Sequence, residues 1–379
     1  MTPSPLAPPP SPPTWHTLFR ILLKAALLFT LCNLLFAAAR PLSWIGRFSL
    51  YNSLLPGRQR LPYGENAADS YNLSLNNVPA MLHSHSLTQP QAEDEFRVVL
   101  LGDSATWGWF LENEDTLAGQ INAAGYQTAD HHPITAYNLG YPIMSLSKDV
   151  LLLQEALAHD PDLIIWLVTL QSFPREQQLF PPLVQNNPQL IRPIITTYQL
   201  RLNSDDPRFV VPNFWQNSLI GQRRALADLL RLQLLGFSWA ATGIDQAIPP
   251  EIPLRQSDFE EDISWQNFSE PTPLTADSLS FDVLTAGIEM AGDVPVLLVN
   301  EPMFISNGRH SDLRYNSFYP RWAYDAYREL LAETAQTNNW HYLDLWDTIP
   351  SAEFTDSPVH LTPAGNALLA ETIMNAIEE

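Results

Sequence analysis

One cysteine stands among 379 residues: Cys32, inside an apolar run. An intrachain disulfide and a cysteine metal site are therefore both excluded, and a single thiol says nothing about the redox compartment. Positive charge is scarce. Twenty Lys and Arg face 41 Asp and Glu, for a formal net charge of −21. A protein that binds duplex DNA or RNA presents a basic face, so nucleic acid is not expected as a partner. The acidic surplus reads as solubility. There is no Gly-rich phosphate loop, no His-rich metal cluster and no internal repeat. Neither a metal nor another cofactor is expected.

Apolar residues are plentiful, at 45%. The length suits one large α/β domain with an extension and does not require two domains. Proline is abundant at 33. Much of it lies at the N-terminus and in the middle of the chain, and residues 1–17 read as a Pro-rich tail. Residues 18–40 follow as LFRILLKAALLFTLCNLLFAAAR. From Ile21 to Ala39 only Lys24, Thr30 and Asn33 interrupt an apolar run near the length of a membrane-spanning helix. Lys24 is close enough to one end to snorkel. The rival readings are a cleaved signal peptide, with Ala37-Ala38-Ala39 as its cleavage site, and a buried core helix. An uncleaved single-pass anchor is the reading adopted. Arg40, Arg47, Arg58 and Arg60 beyond the run place the globular part in the cytoplasm by a plain positive-inside count. The signal-anchor pattern points the other way, and an extracytoplasmic domain is expected. Residues 41–95, rich in Asn, Pro and Ser, read as a juxtamembrane linker. The main domain is expected over 96–379.

Within it, FRVVLLG (96–102), ITAYNLG (134–140), DLIIWLVTL (162–170), VPVLLVNEP (294–302) and WHYLDLW (340–346) read as strands. Helical spacing covers 113–125, 145–160, 323–339 and 363–379, the last opening on Pro363. Strands alternating with helices, and apolar on both faces, imply a parallel sheet covered on both sides. Residues 173–290 break the alternation and read as an insertion or lid, with a helix over 222–237.

Two stretches carry candidate chemistry. The first is VVLLGDSATWG (98–108), where Gly102, Asp103 and Ser104 fall as the first strand runs out. Ligands of open parallel sheets bind at the carboxyl ends of strands. A serine there is exposed near a helix N-terminus whose N–H groups favour a developing oxyanion. The second is FTDSPVHLTPAGNALLAE (354–371), just before the last helix. Asp356 and His360 stand four apart, so a carboxylate can hold one imidazole nitrogen while the other takes a serine proton.

Together these stretches resemble the SGNH (GDSL) hydrolase family over about 96–379, apart from the insertion. The resemblance implies a flavodoxin-like, doubly wound parallel sheet of about five strands. It implies Ser104 as nucleophile, His360 as base and Asp356 as the residue orienting it. The family usually places that Asp three residues before the His; here it is four, which leaves Asp344 and Asp347 as substitutes. The family's second block usually reads Asn-x-Gly-x-x-Gly. Here it reads Asn138-Leu139-Gly140-Tyr141-Pro142-Ile143, so Ile143 falls at the backbone oxyanion donor. The third block usually reads Gly-x-Asn-Asp. Here it is Thr169-Leu170-Gln171-Ser172, and Gln171 keeps an amide on a longer arm. Ser104, Ile143 and Gln171 are thus the expected oxyanion donors.

Gly140, Trp107, Asn300 and Glu301 are candidates for substrate binding. Trp107 and Trp109 suit an acyl or sugar pocket, or else the core. Asn300 and Glu301 face the site, or else end a strand before Pro302. The resemblance implies a serine esterase acting on an acyl ester or an acylated polysaccharide. An alternative is O-acyl transfer or deacylation on a cell-envelope polysaccharide beside an integral-membrane acyl donor protein. A third reading keeps the fold as a non-catalytic binding protein.

Overall fold

The computed structural model describes residues 14–55, 57–64, 70–244 and 246–378. Residues 1–13 of the Pro-rich tail lie outside them. The chain divides into two compact units: residues 1–45 with 212–227, and residues 46–211 with 228–379.

In the first unit, Trp15–Ala39 is one continuous helix with a mean hydropathy of 2.1 over its most apolar window. Its 25 residues rise ~37 Å, against a hydrocarbon layer of about 30 Å. It is long and apolar enough to cross a membrane. Asn33, the polar residue near its C-terminal end, is not left bare. Its Nδ2 donates to Phe29 O at 2.9 Å and its Oδ1 accepts the Ile220 N–H at 3.0 Å.

The second unit is built on a five-stranded sheet. The strands are β1 (Phe96–Leu101), β2 (Ile134–Asn138), β3 (Leu163–Val168), β4 (Val296–Asn300) and β5 (His341–Asp344). All pairs are parallel, in the order β2-β1-β3-β4-β5. That is the doubly wound α/β arrangement expected, and its strand order reverses between β1 and β3. Alternate side chains explain the apolar runs. Val98, Leu100, Ile165, Leu167, Leu297 and Val299 share one core with the helices Leu117–Ala124 and Pro363–Glu378. The residues between them, such as Ile164, Trp166 and Leu298, are equally buried on the other side. There the helices Leu146–Ala156 and Phe281–Ala291 pack on each other. Gly287 is needed for this fit, since a Cβ at that point would lie 2.4 Å from the Trp166 ring.

The structure departs from expectation in residues 46–95. These are not a linker but part of the same compact unit as the sheet. Leu61, Val78, Met81 and Leu87 are buried, and so are Arg58 and Arg60. Arg60 stacks over Trp107 at 4.7 Å and donates to Gly108 O at 2.9 Å. The segment therefore braces the turn that follows Ser104. The expected insertion, 173–290, also forms no separate body. Most of it belongs to the unit of the sheet, and only 212–227 groups with the first unit.

Candidate active site

The sheet delivers Ser104 to the place where strand order reverses. β1 ends at Leu101, and Gly102-Asp103 turns the chain into a single helical turn, Ser104–Trp107. Only glycine fits at position 102, because a Cβ would meet Thr106 Oγ1 at 2.1 Å. Asp103 caps the turn by accepting the Ala105 N–H at 2.7 Å. The loop before the last helix brings the other half. Phe354 and Leu361 pair as an antiparallel bridge, and Thr355 N–H donates to His360 O at 2.8 Å. This closed loop folds Asp356 back onto the ring it precedes by four residues.

His360 Nε2 lies 2.8 Å from Ser104 Oγ, and His360 Nδ1 lies 2.9 Å from Asp356 Oδ1. An ionised carboxylate only accepts, so Nδ1 carries the imidazole proton and Nε2 is left to accept from the serine hydroxyl. Burial alone would raise the Asp356 carboxyl. The hydrogen bond and charge of His360, with the Thr355 hydroxyl 3.1 Å away, outweigh it and hold the group below the usual carboxylate range. Asp344 does not substitute for Asp356: its carboxylate binds Arg328 at 2.6 Å and accepts from Asn300 Nδ2 at 2.8 Å. Asp347 is exposed. The Trp109 ring stacks on His360 with 6.1 Å between centroids.

The expected oxyanion donors are placed differently. The Ile143 N–H donates to Tyr141 O at 2.6 Å, inside its own turn. The Gln171 carboxamide faces two other amides. Its Nε2 donates to Gln177 Oε1 at 3.3 Å and its Oε1 accepts from Gln266 at 3.2 Å. Its backbone N–H donates to the Tyr319 hydroxyl at 3.2 Å.

Four expected substrate contacts are interior residues instead. Trp107 is fully buried, and its indole N–H donates to Leu61 O at 2.9 Å. Gly140 is the point where the β2 loop crosses the serine turn: a Cβ there would lie 2.4 Å from Trp107 N. Asn300 is buried among the hydroxyls of Tyr324 and Tyr327, 3.4 and 3.2 Å from its Oδ1. Glu301 is buried too.

Beneath the serine lies a buried ionic cluster, in which Lys148 and Asp149 join the Asp103 and Glu301 already noted in the sequence. Lys148 Nζ donates to Gly102 O at 2.6 Å and pairs with the Asp149 carboxylate. Asp149 also accepts from the Trp166 indole at 3.2 Å. Burial raises the Asp103 carboxyl, although the Ala105 N–H and the charges of Lys148 and His360 oppose it. Burial likewise raises Asp149 against the pull of Lys148. Glu301 is raised well above its ordinary value, by burial first and then by the charges of Asp103 and Asp149. The signal was a Lys-Asp pair opening an otherwise apolar helix, SKDVLLL. Such a pair reads as a solvated helix start unless the burial is known. A separate cavity of about 780 Å³ lies toward β2, among Arg58, Glu112, Asn122, Tyr137 and Trp239. None of Ser104, His360 and Asp356 lines it.

No family model and no curated protein matches the chain. Among solved structures it is similar to a member of the lipolytic protein G-D-S-L family from Veillonella parvula, at 12% identity and a TM-score of 0.35, covering 74% of this chain and 96% of that one. It is similar to a carbohydrate acetylesterase from Sinorhizobium meliloti, at 14% identity and a TM-score of 0.33, covering 74% and 98%. It is also similar to an acetylxylan esterase from Geobacillus stearothermophilus, at 11% identity and a TM-score of 0.37, covering 77% and 97%. Over about three quarters of its length, then, the chain is similar to G-D-S-L lipolytic proteins and acetylesterases.

Proposed function

We propose that the chain is a serine esterase-type hydrolase that cleaves an acyl ester through an acyl-serine intermediate. The observation that carries this reading is the unbroken hydrogen-bonded line from Ser104 through His360 to Asp356. A neutral hydroxyl is a poor nucleophile, and the base within 2.8 Å removes that obstacle. Ser104 Oγ attacks the ester carbonyl as its proton passes to His360 Nε2. Asp356 stays ionised and stabilises the imidazolium. The tetrahedral adduct collapses, the imidazolium gives its proton to the departing alkoxide, and the acyl group remains on Ser104. Water then attacks the acyl carbonyl as its proton passes to the same nitrogen, and the imidazolium returns that proton to Ser104 Oγ as the acid leaves.

With Ile143 and Gln171 engaged elsewhere, the oxyanion is left chiefly to the Ser104 N–H. One weakened donor costs about 10²–10³ in rate, so turnover of simple esters is expected to be slow. The helix Trp15–Ala39 supports a membrane anchor, and the signal-anchor pattern is the ground for placing the second unit on the outer side. The anchor also favours a second reading, in which a sugar hydroxyl replaces water in the second half-reaction, because a secreted esterase needs no tether.

The test is hydrolysis of p-nitrophenyl acetate. Ser104→Ala is expected to lower kcat by at least ~10³-fold while leaving the fold intact, and His360→Ala by a similar factor. A Ser104→Ala protein as fast as the wild type would remove Ser104 from the reaction.

A further inference from the structure

The helix Arg223–Thr242 is apolar on two faces. Leu229, Leu232, Gly236 and Trp239 are buried against the second unit. On the other side Leu230 and Phe237 are exposed, and Leu234 is 75% exposed. A helix that is hydrophobic all round is ordinarily covered all round. The apolar surface extends beyond the helix. Gln233 Nε2 donates to Phe48 O at 2.7 Å and its Oε1 accepts the Leu50 N–H at 2.9 Å. This carboxamide clamps residues 48–54 along the helix. Gly236 sets how close they come, since a Cβ there would lie 2.7 Å from the Tyr51 ring. The clamped segment exposes Phe48, Leu50 and Leu54, the last at 72%. Six large apolar side chains on two adjoining segments exceed the scattered exposure normal for a surface.

Two features of the chain say what covers them. Phe48 follows Ala39, the end of the apolar helix, by nine positions. Nine residues reach ~32 Å at most, so a bilayer holding that helix has Phe48 near its surface. The second feature is charge. The chain carries a net −21, yet its first acidic residue is Glu65. In sequence the charged residues nearest Phe48 are Arg40 and Arg47, both exposed, and no acidic residue lies between them and Leu54. An anionic lipid surface repels most of this protein and attracts this segment.

We propose that Leu230, Leu234 and Phe237, with Phe48, Leu50 and Leu54, bed into the headgroup layer of the membrane, with the helix lying in the interface plane. Amphipathic interfacial helices bind in this way, by buried apolar area together with neighbouring basic charge. The inference rests on the reading of Trp15–Ala39 as an anchor, and the experiment separates the two. Full-length protein carrying Cys32→Ser is reconstituted into phosphatidylglycerol-containing vesicles. A single cysteine, from Leu234→Cys or from Glu333→Cys, carries an environment-sensitive fluorophore. The label at 234 is expected to emit at shorter wavelength and to lose most of its intensity when the lipids carry brominated chains. The label at 333 is expected to do neither. A water-like, unquenched label at 234 in protein that floats with the vesicles would overturn the docking and leave the anchor standing. A blue-shifted but unquenched label would also overturn it, because protein and not lipid would then cover the helix. Protein that does not float with the vesicles would overturn the anchor and the docking together.

Discussion

At the scale of single residues, the question is which groups a serine needs in order to react. The meeting of Ser104 and His360 was legible because each stood at a position with a physical meaning, the end of β1 and the loop before the last helix. Asp356 was legible as well, although its spacing was unusual. The bridge between Phe354 and Leu361 explains that spacing, and no pattern in the sequence announces it. The donors were less legible. A residue's place in a strand-end block says where its Cα stands, not what its amide binds. Gln171 shows the difference: its longer arm carries the carboxamide to Gln177 and Gln266. Gln171→Ala is therefore expected to lower kcat for p-nitrophenyl acetate less than about tenfold, against the 10²–10³ of a preorganised donor. A loss of that larger size would mean that Gln171 releases its partners and serves the oxyanion.

Glu301 makes a second residue-scale prediction. Its folded carboxyl is raised, by burial and then by the charges of Asp103 and Asp149. A group raised on folding contributes stability below its unfolded value, and that contribution is lost as pH rises through the folded value. Glu301→Gln removes the titration and keeps the shape. Its melting temperature relative to wild type should therefore climb as pH rises from about 4.5 toward 9. A difference that stays flat across that range would show that folding does not raise the Glu301 carboxyl.

At the scale of elements, the five strands and their order followed from apolar runs alternating with helical spacing. Buried parallel strands must be apolar on both faces, so this much was plain. The brace formed by residues 57–64 and 70–88 was not, because its segments are short and its packing is long-range. Arg58 and Arg60 look like juxtamembrane charges in the sequence, yet the structure buries both. The same holds for the helix Leu146–Ala156, whose first turn carries the buried Lys148 and Asp149. Lys148 ties that helix to the carbonyl of Gly102 and so fixes the turn before Ser104. Lys148→Met keeps the volume and leaves the Asp149 carboxylate uncompensated. It is expected to cost ~3–5 kcal/mol in chemical unfolding, as breaking a buried pair from one side does. A loss under about 1 kcal/mol would place the pair in a wetter setting than the structure gives it.

At the scale of the whole molecule, the chain joins an apolar helix to a unit with a hydrogen-bonded Ser-His-Asp line. Nothing in either part names the acyl group, and the four residues first considered for substrate binding are interior ones. Trp109 is the aromatic ring stacked on His360. The central claim is that Ser104 is a working nucleophile, and covalent capture tests it without knowledge of the substrate. Full-length protein is treated with a fluorophosphonate probe, digested, and the modified peptide is identified by mass spectrometry. The account predicts a phosphonylated Ser104, with labelling abolished by Ser104→Ala and strongly slowed by His360→Ala. Folded wild-type protein that takes up no probe, or takes it up on a serine other than Ser104, would contradict it.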